Sequence, residues 1–443
     1  MVKDREQLHL RAFWLAESGL TQPSELTTTM NAPDFVDQAA QPYESNRYAA
    51  LVLNLGRALL HVGSPAHRLE EAMQIMATRL GLQAEFFSTP TALFASLGDG
   101  EKQRTFMARS APGNTDLGKL ADLAEVMDQL SEGSMSPEQA DDRVRAIDQA
   151  PPQYGYWLQL LGFILLSTGI APYLGGSWRE MILALVLGSM TGLIVLWLRN
   201  HIDRSRLISP LAASATTFAG MIWCHFDPAT ALLPAVIASI IALIPGMDLT
   251  TSSRELATGH LVSGSSRLAY ALMVFALLAM GLVLGWLTGE ALIGPVELIS
   301  PEPTPFWLPM FGVTLAAIGL MLLNQAHLRN WIWILLACGI AFAASRIGLL
   351  TDAPIVGAFI GAIAVGLAGN LFVKLSGRPG SIMHLPGLVL LVPGSMGLRG
   401  LATLLSDDVI AGIETAMLAG MIAVALTIGM ILASVLLPPK TAL

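Results

Sequence analysis

The chain has 443 residues, of which 53% are hydrophobic and only 13% are charged, which excludes both an ordinary soluble enzyme and a disordered protein. Its net charge of −8 lies at the front: residues 1–155 hold 21 Asp/Glu against 13 Lys/Arg, and residues 156–443 hold 12 against 12. That division predicts a soluble unit joined to a membrane unit, and nothing in it points to nucleic acid.

Residues 1–45 include "TQPSELTTTMNAPDFVDQAAQPYES", polar and without aliphatic periodicity, and read as a flexible tail. The N-terminus lacks the apolar core of a signal peptide, so the front unit is expected in the cytoplasm. Residues 46–155 then read as a small α+β domain. "NRYAALVLNLGRALLHVG" (46–63) is an amphipathic helix. A second follows with Ser64 as N-cap, Pro65 at the first helical position and Gly81 as its stop. Residues 82–110 alternate and turn at Gly98-Asp99-Gly100, which predicts two or three antiparallel strands. Two helices close the domain, about 115–131 and 137–149, the latter with a capping box from Ser136 to Gln139. His67, Arg68 and Glu70 stand together near the start of the second helix. They suit regulatory or pathway-lining groups, or a solvated face with ordinary salt bridges.

A helix needs roughly 20 apolar residues to cross about 30 Å of hydrocarbon. Ten segments qualify: about 156–175, 179–198, 208–226, 229–247, 267–288, 306–325, 331–350, 354–375, 382–404 and 409–437. With residue 155 inside, Arg199, Arg204, Arg206, Arg254, Arg267, Arg329, Lys374, Arg378 and Lys440 all fall in inside loops. The outside loops are mostly acidic, so the positive-inside rule places both termini in the cytoplasm. The spans divide after the fifth, giving membrane repeats at 156–290 and 306–437. Five is odd, so the second copy must enter the membrane from the opposite side, as in the inverted repeats of many secondary transporters. The fold class is therefore an α-helical polytopic membrane protein, with about ten spans in two inverted five-helix repeats behind a small α+β cytoplasmic domain.

The fourth and ninth spans each break their apolar run at Pro-Gly: "LIPGMDLTTSSRE" (Pro245, Gly246) and "LVPGSMGLRG" (Pro393, Gly394). Proline frees backbone carbonyls that hydrocarbon cannot satisfy, so such a break survives against protein or a watery cavity. A helix restarting there offers unpaired N–H groups and a positive dipole end to a carboxylate. The polar groups that follow, Asp248, Thr250 and Thr251 after the first break and Ser395 and Arg399 after the second, then suit an anionic or zwitterionic substrate held between the two breaks. Arg399 would receive the carboxylate, Asp248 the ammonium, and Thr250, Thr251 or Ser395 a hydroxyl. Asp248 or Glu414 would carry a coupled proton. The competing explanations are span ends for the Pro-Gly pairs, a snorkelling interfacial arginine for Arg399 and an outer-end residue for Glu414. The ladders Gly188/Gly192 and Gly357/Gly361 read as helix-packing faces.

Cys224 and Cys338 lie inside apolar segments, and His225, His327 and His384 are scattered without metal-ligand spacing, so neither a metal nor a disulfide is expected. No Walker A, GxGxxG or GxSxG pattern occurs, so neither a cofactor nor an enzymatic activity is expected.

The run "GSPAHRLEEAMQIMATRLGLQAEFFSTPTALFAS", the Gly-x-x-x-x-Arg-x-Glu pattern of Gly63, Arg68 and Glu70, and the later "LIPG" and "LVPGSMGLRGL" resemble the threonine/serine exporter family. Leu398 stands before Arg399 where the family commonly has tyrosine. The resemblance implies a cytoplasmic N-terminal domain, ten spans and export of threonine and serine driven by the proton-motive force. It carries over no binding residues. The alternatives are a succinate-type dicarboxylate exporter and, from other classes, an intramembrane enzyme or a sensor. Expected partners are a small amino acid or carboxylate, protons and the bilayer, with homo-oligomerisation left open.

Overall fold

The computed structural model describes residues 43–98, 103–110, 115–199, 207–350, 353–391 and 409–438. The tail expected at 1–45 therefore lies almost wholly outside the described residues.

Helix α1 (Tyr43–His61) ends in a double closure, Gly63 N–H to Leu60 O at 3.2 Å and Ser64 N–H to Leu59 O at 3.1 Å. This Schellman geometry requires a left-handed residue, and Gly63 supplies it at φ 76°. Helix α2 (Ala66–Arg79) follows, but its start differs from expectation. Pro65, in extended backbone, is the N-cap and gives no side-chain cap bond. Ser64 has spent its N–H on closing α1, and its hydroxyl is buried without a partner. The free N–H of Ala66 is instead taken by Glu255 Oε1 at 2.9 Å, from 189 residues away.

Strands β1 (Ala84–Thr89), β2 (Ala92–Leu97) and β3 (Arg104–Arg109) form an antiparallel sheet in that order. Leu93, Ala95 and Leu97 are the buried residues of β2, and α1 packs on that strand. Helix α3 (Leu117–Ser131) is capped by Asp116, which accepts from Lys119 N at 2.8 Å. Helix α4 (Pro137–Gln149) has the expected Ser136–Gln139 capping box.

Eleven helices follow among the described residues, all but the polar α9 largely apolar: α5 (Tyr156–Tyr173), α6 (Trp178–Leu198), α7 (Ile208–Phe226), α8 (Leu232–Ser239), α9 (Gly246–Ala257), α10 (Leu261–Ile293), α11 (Trp307–Leu323), α12 (Trp331–Leu350), α13 (Pro354–Ser376), α14 (Ser381–Leu391) and α15 (Val409–Leu436). Among the described residues six helices are long and apolar enough to cross a membrane, seven if the bent pair α8–α9 is one span. α11 and α14 are apolar but short. Large apolar side chains such as Trp157, Trp197, Leu272 and Ile332 are exposed, an outer surface suited to lipid rather than water.

Small residues set the closest approaches. A Cβ on Gly169 of α5 would lie 2.3 Å from the Gly312 carbonyl oxygen of α11, and one on Gly312 would lie 2.4 Å from Gly169 O. One turn-pair further along, Gly319 of α11 lies against Gly162 and Leu166 of α5, so the two helices cross antiparallel. Small residues also set α10 on α7 through Gly281 and Gly285, and α15 on α13 through Gly429, these two pairs running parallel. Gly188 and Gly192 pack on α5, Gly357 on α12 and Gly361 on α12 and α14, as expected of packing faces.

The front elements dock on two loops of the apolar part. Leu117 N–H donates to Asn324 O at 2.9 Å, Tyr154 N–H to Gln325 Oε1 at 2.8 Å and Tyr154 Oη to Ala326 O at 2.8 Å. His327 Nε2 meets Asp122 Oδ1 at 3.0 Å. Among the described residues Gln325 is the one non-glycine with positive φ, 53°. It closes α11 as Gly63 closes α1, and its side chain then holds Tyr154.

Candidate functional site

The break at Pro245 is present, and its two sides are held differently. Helix α8 is fixed at both ends. Buried Glu180 accepts from Ala231 N–H through Oε1 at 2.6 Å while its Oε2 caps α6 through Ser177, so one carboxylate serves two helix starts. At the other end, the Ser239 carbonyl receives the Ser167 hydroxyl at 3.4 Å. A 3-10 turn (Ile241–Leu243) and Pro245 follow, and α9 leaves at 48° to α8. Proline gives no N–H there, so nothing in the backbone ladder ties α9 to the direction of α8.

Helix α9 carries the polar residues and packs against α10, α14 and α15. Asp248 does not stand free for a substrate ammonium: its Oδ1 pairs with Arg267 Nη1 at 3.1 Å. Thr250 is buried and donates to Gly246 O at 3.1 Å within its own helix. Gly246 N–H is taken by Ile244 O at 2.8 Å, and Thr251 is half-buried. Glu255, fully buried, gathers three donors: Ala66 N–H at 2.9 Å, Ser263 Oγ at 3.0 Å and Arg267 Nε at 3.3 Å. Arg267 thus bridges Asp248 and Glu255, and Glu255 joins α9 to α2.

The Gly63–Arg68–Glu70 pattern resolves into distinct tasks. Gly63 closes α1. Arg68 approaches Glu71 at 3.7 Å. Glu70 Oε1 accepts from Ser88 N–H at 2.7 Å and Ser88 Oγ at 3.0 Å, and Oε2 meets His260 Nε2 at 3.3 Å. The Glu70 contacts are partly buried, whereas Glu71 is exposed and its pairing with Arg68, three residues away on the same helix, is an ordinary surface pair. His67 lies 6.1 Å from His260, centroid to centroid, and both its ring nitrogens are buried without a partner. Burial first, then the charges of Arg254 and Arg68, push its imidazole down to about 2, so it is neutral. Burial also lowers the Arg68 guanidinium, with Glu71 opposing.

Pro393, Gly394, Ser395 and Arg399 lie outside the described residues. Just before them, however, the last turn of α14 shows a second supported carbonyl: Tyr173 Oη donates to Leu390 O at 2.8 Å. Each apolar run approaching a Pro-Gly pair is therefore met by a hydroxyl of α5. Glu414 of α15 is exposed and makes no ion pair among the described residues. His384 contacts Gly366 O at 3.3 Å. Among the described residues no cluster of three or more His, Cys, Asp or Glu could hold a metal ion.

Glu255, His260 and Arg267 act as bridging groups although nothing in their local sequence announces it. They were visible only as polar residues flanking a span, and what unites them is the docking of a helix that precedes them by almost 200 residues. Tyr173 gave no signal at all.

Two family models cover nearly all of this architecture. One, described as "Putative threonine/serine exporter", matches residues 50–288. The other, "Threonine/Serine exporter, ThrE", matches residues 309–436. Among curated proteins the chain is similar to pheromone-regulated membrane protein 10 of Yarrowia lipolytica, at 27% identity over 373 residues, covering 79% of this chain and 30% of that protein. The protein of the same name from Eremothecium gossypii is 26% identical over 369 residues, 80% of this chain and 49% of the other. An uncharacterized protein of Schizosaccharomyces pombe is 24% identical over 384 residues, 84% and 45%. The chain thus spans less than half the length of these relatives. No solved structure matches. With both parts of its membrane region matched in order by exporter models, the chain belongs to the threonine/serine exporter family.

Proposed function

We propose that the chain is a secondary transporter that exports threonine and serine across the cytoplasmic (inner) membrane, driven by the proton-motive force. The supporting observation is the span broken at Pro245, whose polar second segment α9 is buried against helices from the rear of the chain. Discontinuous helices at the contact of two repeats are where such carriers place their substrates. The ten-span, inverted-repeat arrangement belongs to this proposal. It is supported by the antiparallel α5–α11 crossing with reciprocal glycines and by the matching α7–α10 and α13–α15 contacts. In it, residues 46–155 are a cytoplasmic α+β domain, 156–290 and 306–437 are the two repeats, and both termini are cytoplasmic. The front domain docks on loops 257–261 and 324–330, which the charge distribution assigns to one side of the membrane.

In this scheme the substrate ammonium competes with Arg267 for Asp248, while Arg399 and the backbone beyond Pro393 and Pro245 take the carboxylate. Thr250, Thr251 or Ser395 takes the hydroxyl, and Asp248 or Glu414 exchanges the proton. Flux of labelled threonine from liposomes under an imposed pH gradient tests it. Wild-type protein should move threonine, and Asp248→Asn and Arg399→Gln should each slow it at least tenfold. Unchanged flux in both variants removes the site. Competition by succinate but not serine would favour the dicarboxylate alternative.

A further inference from the structure

Arg267 of α10 reaches two carboxylates of α9 with different atoms: its Nε lies 3.3 Å from Glu255 Oε2 and its Nη1 lies 3.1 Å from Asp248 Oδ1. The two ends of this bridge are unequal. The Glu255 side chain has no exposed surface, and its oxygens also hold Ala66 N–H and Ser263 Oγ. The Asp248 side chain keeps 30% of its surface exposed, and among the described residues Arg267 is the only side chain bonded to it. Two carboxylates therefore share one guanidinium, and the accessible one of the two has no other partner.

Stranding a buried charge costs more than freeing a partly exposed one, which water can take over. The contact with Glu255 is thus the anchor of Arg267, and the contact with Asp248 is its releasable arm. An ammonium arriving at Asp248 can displace Nη1 while Nε stays on Glu255, so the exchange leaves no charge without a partner. A solute carrying only carboxylates has nothing to exchange and meets a like charge there.

We propose that Arg267 is an internal stand-in for the ammonium of the solute: a specificity-determining lock on Asp248 that an amine releases and a dicarboxylate does not. The lock rests on the export proposal, in which Asp248 takes the ammonium, and deepens it in two respects. It selects an amine-bearing solute at that position. It also ties the position to α2, because Ala66 N–H holds Glu255 Oε1 at 2.9 Å and leaves Oε2 to Ser263 and Arg267.

The test is calorimetric titration of the full-length protein in detergent with threonine, with succinate, and with ethanolamine, which has an ammonium and a hydroxyl but no carboxylate. Arg267→Lys keeps a charge for buried Glu255 but has no fork to span both carboxylates. It should bind threonine and ethanolamine at least tenfold more tightly than wild type. Arg267→Gln should do the same, and neither variant should gain affinity for succinate. Glu255→Gln should act in the opposite direction and weaken threonine binding at least threefold, because Arg267 then rests on Asp248 alone. In an Arg267→Gln background it should change nothing. An arginine with a merely structural role predicts weaker binding on replacement, so the sign decides. Threonine binding by Arg267→Lys equal to or weaker than wild type overturns the proposal, whether or not Arg267→Gln folds. So does a matching gain for succinate, and so does an absence of threonine and ethanolamine binding in wild type and variants alike. Liposome flux by the wild type is scored separately: binding without threonine movement sinks the export proposal, whereas the lock stands or falls on the titration.

Discussion

Replacing Glu255 with glutamine should loosen α2 from α9 without unfolding the rest of the chain. The carboxylate is fully buried and accepts from Ala66 N–H, Ser263 Oγ and Arg267 Nε. Glutamine keeps the shape, but one oxygen becomes an NH2 that must face a donor whichever way the amide turns. Stranding a buried charge by deleting its partner costs about 3–5 kcal/mol. Here Arg267 keeps Asp248 at 3.1 Å, so the loss falls toward a single charge-assisted bond plus one donor clash, about 3 kcal/mol. Asp248→Asn alone should cost less, about 1 kcal/mol, because that side chain is partly solvated. The double variant should exceed the sum, since Arg267 then has neither partner. Thermal melting gives the totals, and hydrogen exchange at the Ala66 amide reads the lost bond directly. An Ala66 amide as protected in Glu255→Gln as in wild type, with an unchanged melting temperature, would refute the assignment of Glu255 as the buried cap.

Three further outcomes are expected. Gly169→Val places a Cβ 2.3 Å from Gly312 O and 2.5 Å from Ala316 N, backbone atoms that cannot rotate away, and should cost about 3 kcal/mol or more. Gly339→Val, with nothing within 4 Å, should be tolerated, and equal yields of folded protein from both would contradict the crossing. Tyr173→Phe leaves Leu390 O without its 2.8 Å donor and should lower stability by about 1 kcal/mol, read as a lower melting temperature. The Asp148 carboxyl is held below its usual range, first by its 2.8 Å bond to His61. A depressed carboxyl stabilises above the unfolded value of about 4 and loses that contribution as pH falls through the lower folded value. Asp148→Asn should therefore reduce stability at neutral pH and flatten its decline below about pH 4, and parallel pH–melting curves for the two proteins would contradict the pairing.

Much of the backbone was legible because apolar length and proline act locally. The limits of α7 and α12 fall where hydropathy puts them, and the bend at Pro245 is where proline and glycine interrupt an apolar run. The errors share one cause, which is polar residues satisfied from far away. Helix α10 was expected to begin at 267 and begins at Leu261. The serines and arginine of "LVSGSSR" look like a loop until Ser263 and Arg267 are seen bonded to Glu255. Ser64 looks like a cap for the same reason, because nothing near it in sequence announces that a carboxylate of α9 will do that work. Asp248 and Thr250 lie just past the bend at Pro245 and appear there already partnered.

Those distant partners also determine what can move. Helix α8 is clamped by Glu180 at its start and by Ser167 at its end, while α9 beyond Pro245 shares no backbone ladder with it. Helix α9 is held by groups that can exchange partners: Arg267 on one face, the α2 N-terminus at its last turn, and the packing of α14 and α15. A rotation of α9 about residues 240–245 would therefore pull on Ala66 directly, through a bond that is buried and charge-assisted. In an export cycle that depends on this hinge, the front domain cannot remain a bystander. Either it travels with α9, or the Ala66–Glu255 bond breaks on every turnover and its cost, comparable to that of Glu255→Gln, adds to the barrier.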